Sequence, residues 1–415
     1  MSHSAGLSDY RAALTTPGAR GPVLAALIGR LPIAMVGLSL LLYVQRSTGS
    51  FAIAGLVSAA TLVGVAIGSV TQGRIMDRVG PSRPLLLVIG VFALFVTASV
   101  FAVEARASAG VLILLGLGVG LFEPMIGSAS RAMWTRLVPA GPVRDAALAY
   151  EAISMEVFFI LGPAIAGVLI AVPWPGTGVV AGAACMVIGG ITFALTPVIR
   201  GFRPDRRDVA GKGLLGAMAS PGMRTVTLAA FGFGVTIGFV EVAIPAAATN
   251  AGNAPAGGLL LGLWSISSVI FGVLYGVRPW PRPMHLRLPA LLGGFALMVS
   301  VLAIPSTLLG LAGAMLLAGT LITPQATAHS AALELVTPQG TATEAFGWIV
   351  TAVTLGLALG QSVSGQLVEH VNVWSAFLAA SVAGLLIAAA VYARRGTVAS
   401  ASAVAEAPVS ASATR

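Results

Sequence analysis

The stretch FAIAGLVSAATLVGVAIGSV (residues 51–70) runs directly into TQGRIMDRVGPSR (residues 71–83). Its first part carries no charge and, as a helix, is long enough to cross a hydrocarbon core of about 30 Å. The second part gathers Arg74, Asp77, Arg78 and Arg83 within a few residues. Charge at that density belongs outside the hydrocarbon core, where water solvates it. A long apolar run closed by a short basic segment is the unit from which this chain is built.

Twelve such apolar runs can be laid out, at 22–44, 51–72, 84–104, 109–132, 146–171, 177–199, 225–249, 257–277, 288–305, 308–332, 343–368 and 372–393. Only Pro305-Ser306-Thr307 separates the ninth from the tenth, so that division rests on length. Charged residues make up 9% of the chain and hydrophobic residues 57%, with a mean hydropathy of +0.95. A soluble domain carries about a quarter charged residues. The expected fold class is an all-α membrane protein of twelve transmembrane helices.

The basic residues orient it. With the N-terminus in the cytoplasm, inner segments hold 20 of the 23 Lys and Arg. Outer loops keep Arg46 and Arg106, and Arg30 lies inside a helix. Retention of positive charge on the cytoplasmic side gives this pattern. An even number of spans also brings Arg394-Arg395 inside. Arginine outnumbers lysine 22 to 1, and Ala and Gly are abundant, as in proteins of GC-rich bacteria. The expectation is a multi-pass protein of a bacterial inner membrane with both termini cytoplasmic.

A net charge of +9 and a pI near 10.9 also occur in nucleic-acid-binding proteins. Here the charge is spread over short inner loops and two tails, so topology explains it and no nucleic-acid partner is expected. The single Cys185 lies in an apolar run, without a CxxC or a His/Cys cluster. No metal site and no cofactor are expected. No charged segment with a small-residue cleavage site precedes the first helix, which is expected to be retained.

The longest inner connection, residues 200–224, divides the helices six and six. The expected organisation is a cytoplasmic tail at 1–21, six-helix halves at 22–199 and 225–395, the linker between them, and a disordered cytoplasmic tail at 396–415. Equal halves suggest an internal duplication, with a site between them near the bilayer midplane.

The segment Gly73-Arg74-Ile75-Met76-Asp77-Arg78-Val79-Gly80-Pro81-Ser82-Arg83 resembles the signature between helices two and three of the major facilitator superfamily, Gly-x-x-x-Asp-Arg-x-Gly-x-x-Arg. Gly73, Asp77, Arg78, Gly80 and Arg83 match its main positions. The resemblance covers roughly residues 20 to 395 and implies two pseudo-symmetric six-helix halves. The corresponding segment of the second half, Gly276-Val277-Arg278-Pro279-Trp280-Pro281-Arg282, keeps the glycine and arginines but lacks the acid. Asp77 is one carboxylate among Arg74, Arg78 and Arg83, beside helix ends whose dipoles favour opposite charges. It can make charge-assisted hydrogen bonds across the halves when the cytoplasmic side closes. The resemblance implies that role, a latch for the outward-facing state. The plain alternative is a solvated cluster that sets topology.

In helix five, Gly162-Pro163-Ala164-Ile165-Ala166-Gly167 is similar to the end of the antiporter signature of drug exporters in that superfamily. Ala166 replaces a glycine, and the upstream glycines are absent. Gly162, Pro163 and Gly167 would allow close helix approach and a bend, as ordinary packing also would. Gly356, Gly360 and Gly365 form a parallel run in helix eleven.

Ionisable residues within spans are costly and should face the bundle interior or a cavity. Counting 1.5 Å per residue from the expected inner ends puts Arg30 about 12 Å deep, with Glu123 and Glu156 at about 15 Å. Glu151 lies shallower, near the inner rim. One arginine neutralises one carboxylate, which leaves the other to take up and release a proton; the alternative is a static network holding helices together. Glu241, beside Pro245 toward the outer end of helix seven, could meet a cationic substrate, gate the outer mouth or be solvated at the rim. Glu344 is expected in the first turn of helix eleven after a Thr341 or Thr343 cap, and His329 as a packing residue. Trp264 and Trp348 are candidate cavity walls. Trp134, Trp174, Trp280 and Trp374 fall at predicted interfaces. Gly116, Gly118 and Gly120 read as helix packing.

There is no Walker A sequence and no nucleophile–base pair, so neither an ATP-driven pump nor an enzyme is expected. The reading is a monomeric secondary transporter in the lipid bilayer. It would exchange protons for small lipophilic or cationic organic molecules, exporting them by alternating access. The rivals are a sugar, amino-acid or other metabolite carrier, possibly an importer, and a non-transporting membrane sensor or structural subunit.

Overall fold

The computed structural model describes residues 7–139, 141–202, 217–277, 282–337 and 342–400. The side chains of Asp77, Glu156 and Glu344 lie outside the described residues, as do Thr341, Trp280 and the tail from 401 onward. The described residues are almost entirely helical. Twelve helices are long and apolar enough to cross a membrane: Arg20–Thr48, Phe51–Met76, Ser82–Glu104, Ala109–Trp134, Pro142–Leu169, Thr177–Leu195, Pro221–Asn250, Ala254–Tyr275, Met284–Ala303, Leu308–Val336, Ala345–His370 and Val373–Ala393. They are numbered here as spans one to twelve. A short helix, Leu7–Thr15, precedes span one and packs against span five. The ninth and tenth spans separate at Pro305–Thr307, where Thr307 caps the tenth by accepting from the Gly310 amide.

Three spans are interrupted. Span one breaks between Arg30 and Ile33, with Pro32 starting the new helix. Span four breaks over Phe122–Met125, which contains Pro124, and span ten at Thr320–Leu321. Proline cannot donate to the preceding turn, so each break leaves backbone groups needing other partners.

Several helix ends depart from the expected positions. Span five starts at Pro142 rather than near 146, with proline in the first turn, where its missing N–H costs nothing. The motif residues Gly73–Val79 are not a loop but the last turns of a helix running Phe51–Val79. The turn is confined to Gly80 and Pro81, and Gly80 has φ 87, in the left-handed region that glycine tolerates. Residues 221–224, expected in the linker, already belong to span seven.

The chain forms two compact units, residues 1–210 with 244–265, and residues 211–243 with 266–415. In the first, spans two and four pack backbone to backbone. A Cβ on Gly64, Gly68 or Gly120 would overlap the main chain of the facing helix, and one on Gly116 would meet Val57 O at 2.9 Å. In the second, Gly234 and Gly238 of span seven face Gly356 and Gly360 of span eleven in the same manner. Small residues at helix contacts replace the hydrophobic driving force that lipid removes.

Candidate functional site

In the first unit the break in span one sets the geometry. Arg30 ends the helix before Pro32, and its guanidinium forms a buried ion pair with Glu151 of span five. The two side chains are 3% and 2% exposed, so this charge pair is sealed from solvent. Glu151 Oε1 also accepts from Ser130 Oγ at 2.7 Å and from Trp134 Nε1 at 2.9 Å. Ser130 and Trp134 are one helical turn apart on span four, so both present to the same acid. The Phe158 ring lies 5.7 Å from the Arg30 guanidinium, on the same span as Glu151. A Cβ at Gly127 would come within 3.4 Å of Arg30 Nε, so glycine there leaves room for the guanidinium. The buried carboxylate is thus fully partnered, with a cation and two further donors, while Arg30 Nε finds no acceptor among the described residues.

This corrects the expected pairing. Arg30 meets Glu151, which is neither shallow nor at a rim, and does not meet Glu123. From Pro142, Glu151 lies about 13 Å along the helix, level with Arg30 at about 15 Å from Arg20. Glu123 lies seven residues from Ser130 toward the start of span four, about 10 Å along the chain. Trp134 is likewise no interface anchor: it is fully buried and donates to Glu151.

Glu123 occupies the break in span four. It is 9% exposed, and among the described residues its carboxylate makes no hydrogen bond or ion pair. The backbone of the break is satisfied by Gln72 of the second helix. Gln72 Nε2 donates to Glu123 O at 2.9 Å and Leu121 O at 3.2 Å, and its Oε1 accepts from Met125 N at 3.2 Å. One buried amide thus closes three main-chain groups and leaves the acid side chain unclaimed. Gln72 was not singled out in the sequence, although Pro124 next to Glu123 was the available sign of a break.

The motif glycines of helix five lie at close helix contacts. Gly162 faces span one, where a Cβ would lie 3.0 Å from Ala34 Cβ and Met35 N. Gly167 faces span eight, where a Cβ would lie 2.6 Å from Pro255 O and 2.9 Å from Gly258 Cα. A Cβ on Gly258 would overlap Pro163 O, and one on Gly262 would meet Ile160 O at 3.1 Å. Trp264 of span eight is buried in this unit.

In the second unit Glu241 is half-buried, and Gln361 Nε2 donates to its Oε2 at 2.6 Å. The acid is therefore hydrogen-bonded within the span seven–eleven seam, by a donor one residue beyond Gly360. Ser364 Oγ donates to Phe239 O at 2.8 Å in the same seam. The break in span ten is held from span eight: Ser268 Oγ accepts from Thr323 N at 3.1 Å and shares a 2.7 Å hydrogen bond with Thr323 Oγ1. A side chain from the second helix of the half thus bridges the interrupted fourth, as Gln72 does in the first unit. His329 is buried, 3.2 Å from Gln325 Nε2 and beside the Phe233 ring, as a packing residue would be. Trp348 is half-buried in span eleven.

The Major Facilitator Superfamily model matches residues 23–333. An MFS-type transporter of Sinorhizobium fredii, y4rN, is 27% identical over 272 residues, which cover 64% of this chain. The chain spans 66% of that relative's length. Among solved structures, the nucleoside transporter NupG is similar with a TM-score of 0.65 and 14% identity, over 90% of this chain and 98% of its own. A bacterial homologue of the human lysosomal transporter Spinster, inward-facing and unoccupied, gives a TM-score of 0.63 at 15% identity, over 95% and 99%. At such identities the likeness is one of fold.

Proposed function

The chain belongs to the Major Facilitator Superfamily, and from that premise we propose that it is a proton-coupled exporter of small lipophilic or cationic organic molecules. The observation that carries the reading is Glu123. It is an acid enclosed within a membrane span, at a helix break, with no partner among the described residues. An intramembrane acid is kept at a cost, and broken spans are where secondary transporters place cargo and coupling ions. Arg30 does not neutralise Glu123, because its guanidinium is paired with Glu151, which also accepts from Ser130 and Trp134. Glu123 therefore exchanges the proton in our reading, ahead of Glu156 and Glu241.

In the proposed cycle the two halves alternate access to a central site. Asp77, between Arg74 and Arg78 at the end of the second helix, latches the cytoplasmic face when the outer face opens. The protein works as a monomer in a bacterial inner membrane with both termini in the cytoplasm, which agrees with the bias of its arginines. The mainly apolar spans favour lipophilic or cationic cargo over sugars.

The test is transport by the purified chain in proteoliposomes, with a panel of lipophilic cations and neutral amphiphiles and an imposed pH gradient. We expect the gradient to drive accumulation, and Glu123→Gln to abolish uphill movement while sparing downhill exchange. Uphill transport by Glu123→Gln at the wild-type level and pH profile would remove Glu123 as carrier. Flux indifferent to the gradient in the wild type would remove proton coupling itself.

A further inference from the structure

A trough of about 470 Å³ opens between the ends of spans nine and twelve in the second unit. Its walls are Leu286 and Ala290 on one side and Leu385 and Ala389 on the other, with Arg282 and Tyr392 at its mouth. Ala290 and Ala389 are exposed, and neither carries a side chain long enough to fill the space. From Arg282 to Ala290, and from Tyr392 back to Leu385, the trough follows about 10 Å of helix. One end thus lies at the basic end of the bundle and the other within the apolar span.

The mouth is strongly and one-sidedly charged. The Arg282 guanidinium is exposed and makes no hydrogen bond or ion pair among the described residues. Arg395 stacks over the Tyr392 ring at 4.1 Å and donates from Nη1 to Tyr392 O at 3.1 Å, which leaves its other guanidinium donors without a partner among the described residues. Between Arg278 and Ser300, and again between Val371 and Ala405, the sequence contains no Asp or Glu. No acid on either element neutralises these guanidiniums. An apolar trough entering the bilayer, with uncompensated guanidiniums at headgroup level, is complementary to one molecule type: an anionic chain on a phosphate.

We propose that this trough is a specific site for an anionic phospholipid, its phosphodiester between Arg282 and Arg395 and one acyl chain along Ala290 and Ala389. The site is independent of the transport reaction and of the cargo. Basic residues at span ends follow topology alone; the trough turns their general attraction into a place with a defined chain path.

The experiment uses the full chain, purified in detergent and given dioleoyl-phosphatidylglycerol or dioleoyl-phosphatidylcholine, which share acyl chains and differ in headgroup charge. Native mass spectrometry counts retained lipid, and thermal unfolding reports its effect. We expect phosphatidylglycerol to be retained and to raise the unfolding temperature more than phosphatidylcholine. Arg282→Ala and Arg395→Ala should each weaken retention about fivefold, as expected for one phosphate-facing charge. Ala389→Trp, at an exposed position, should fill the trough and release the lipid with all charges kept. Glycerol 3-phosphate in excess should not compete. Equal retention of the two lipids by the wild type would overturn the proposal without recourse to any variant. Full phosphatidylglycerol retention by a well-folded Ala389→Trp protein, or displacement by glycerol 3-phosphate, would overturn the chain path.

Discussion

Removing one member of the Arg30–Glu151 pair should cost far more than removing its charge as a whole. In Glu151→Gln the side-chain oxygen can still accept from Ser130 and Trp134, now at 2.7 and 2.9 Å. The new amide N–H then faces the Arg30 guanidinium, donor against donor, and a cation remains buried at 3% exposure. Breaking a buried pair in this way costs about 3–5 kcal/mol. Arg30→Met leaves the opposite charge buried and should cost a similar amount, softened by the two donors that Glu151 keeps. The double variant Arg30→Met with Glu151→Gln is neutral and keeps both remaining hydrogen bonds. Its loss should be smaller than that of either single variant, with a coupling of at least about 2 kcal/mol between the sites. The measurement is a double-mutant cycle from sodium dodecyl sulfate unfolding of the purified chain, with thermal unfolding as a second readout. If the single losses simply add, the pair is not an energetic unit and the reading of Glu151 as fully partnered is wrong. If the double variant also transports, the cluster is a structural tie and not part of the coupling.

Three further outcomes follow from the same packing. Gln72→Leu should lose about 1 kcal/mol or more for each main-chain group it strands at Leu121, Glu123 and Met125, read as a lowered unfolding midpoint; an unchanged midpoint would mean the break in span four satisfies itself. Gly258→Leu forces a side chain into Pro163 O and should abolish a folded, monodisperse product, whereas Gly313→Ala, where a Cβ meets nothing within 4 Å, should be silent by size-exclusion chromatography. Cys185→Ser should keep wild-type flux in proteoliposomes, because Cys185 lies among Ala183, Ala184, Met186 and Val187 with no adjacent base; lost flux in a folded variant would reveal a functional thiol.

The spans were legible because lipid imposes a length and a composition on every helix that crosses it, and the sequence obeys both at twelve places. Even the thin division at Pro305–Thr307 stands. What sequence could not fix was depth, and the candidate site depends on depth. Placing the start of span five at 146 rather than at Pro142 made Glu151 look one turn too shallow, and the error passed directly into the choice of partner for Arg30. Hydrophobicity marks the wrong end, since Arg144 and Asp145 fall in the first turn of the helix and shorten the apolar run to 146; proline in that turn marks the true one.

The same limit hid the breaks. The glycines and leucines of Gly116–Leu121 do not show that the helix stops there, because they serve a continuous span equally well. Pro124 is the local sign, but proline also occurs inside the unbroken helix of span five, at Pro163. The two prolines differ in what surrounds them. Gln72 offers three hydrogen bonds to the backbone freed around Pro124, while the main chain at Pro163 is pressed against Gly258 with no room for an inserted side chain. Two of the three breaks carry such a polar residue from a neighbouring helix, Gln72 for span four and Ser268 for span ten, whereas the break in span one is closed by main-chain bonds to Leu27 and Pro32. That places Glu123 at a point where a buried amide holds a span open, and this is the observation on which its proposed part in transport rests.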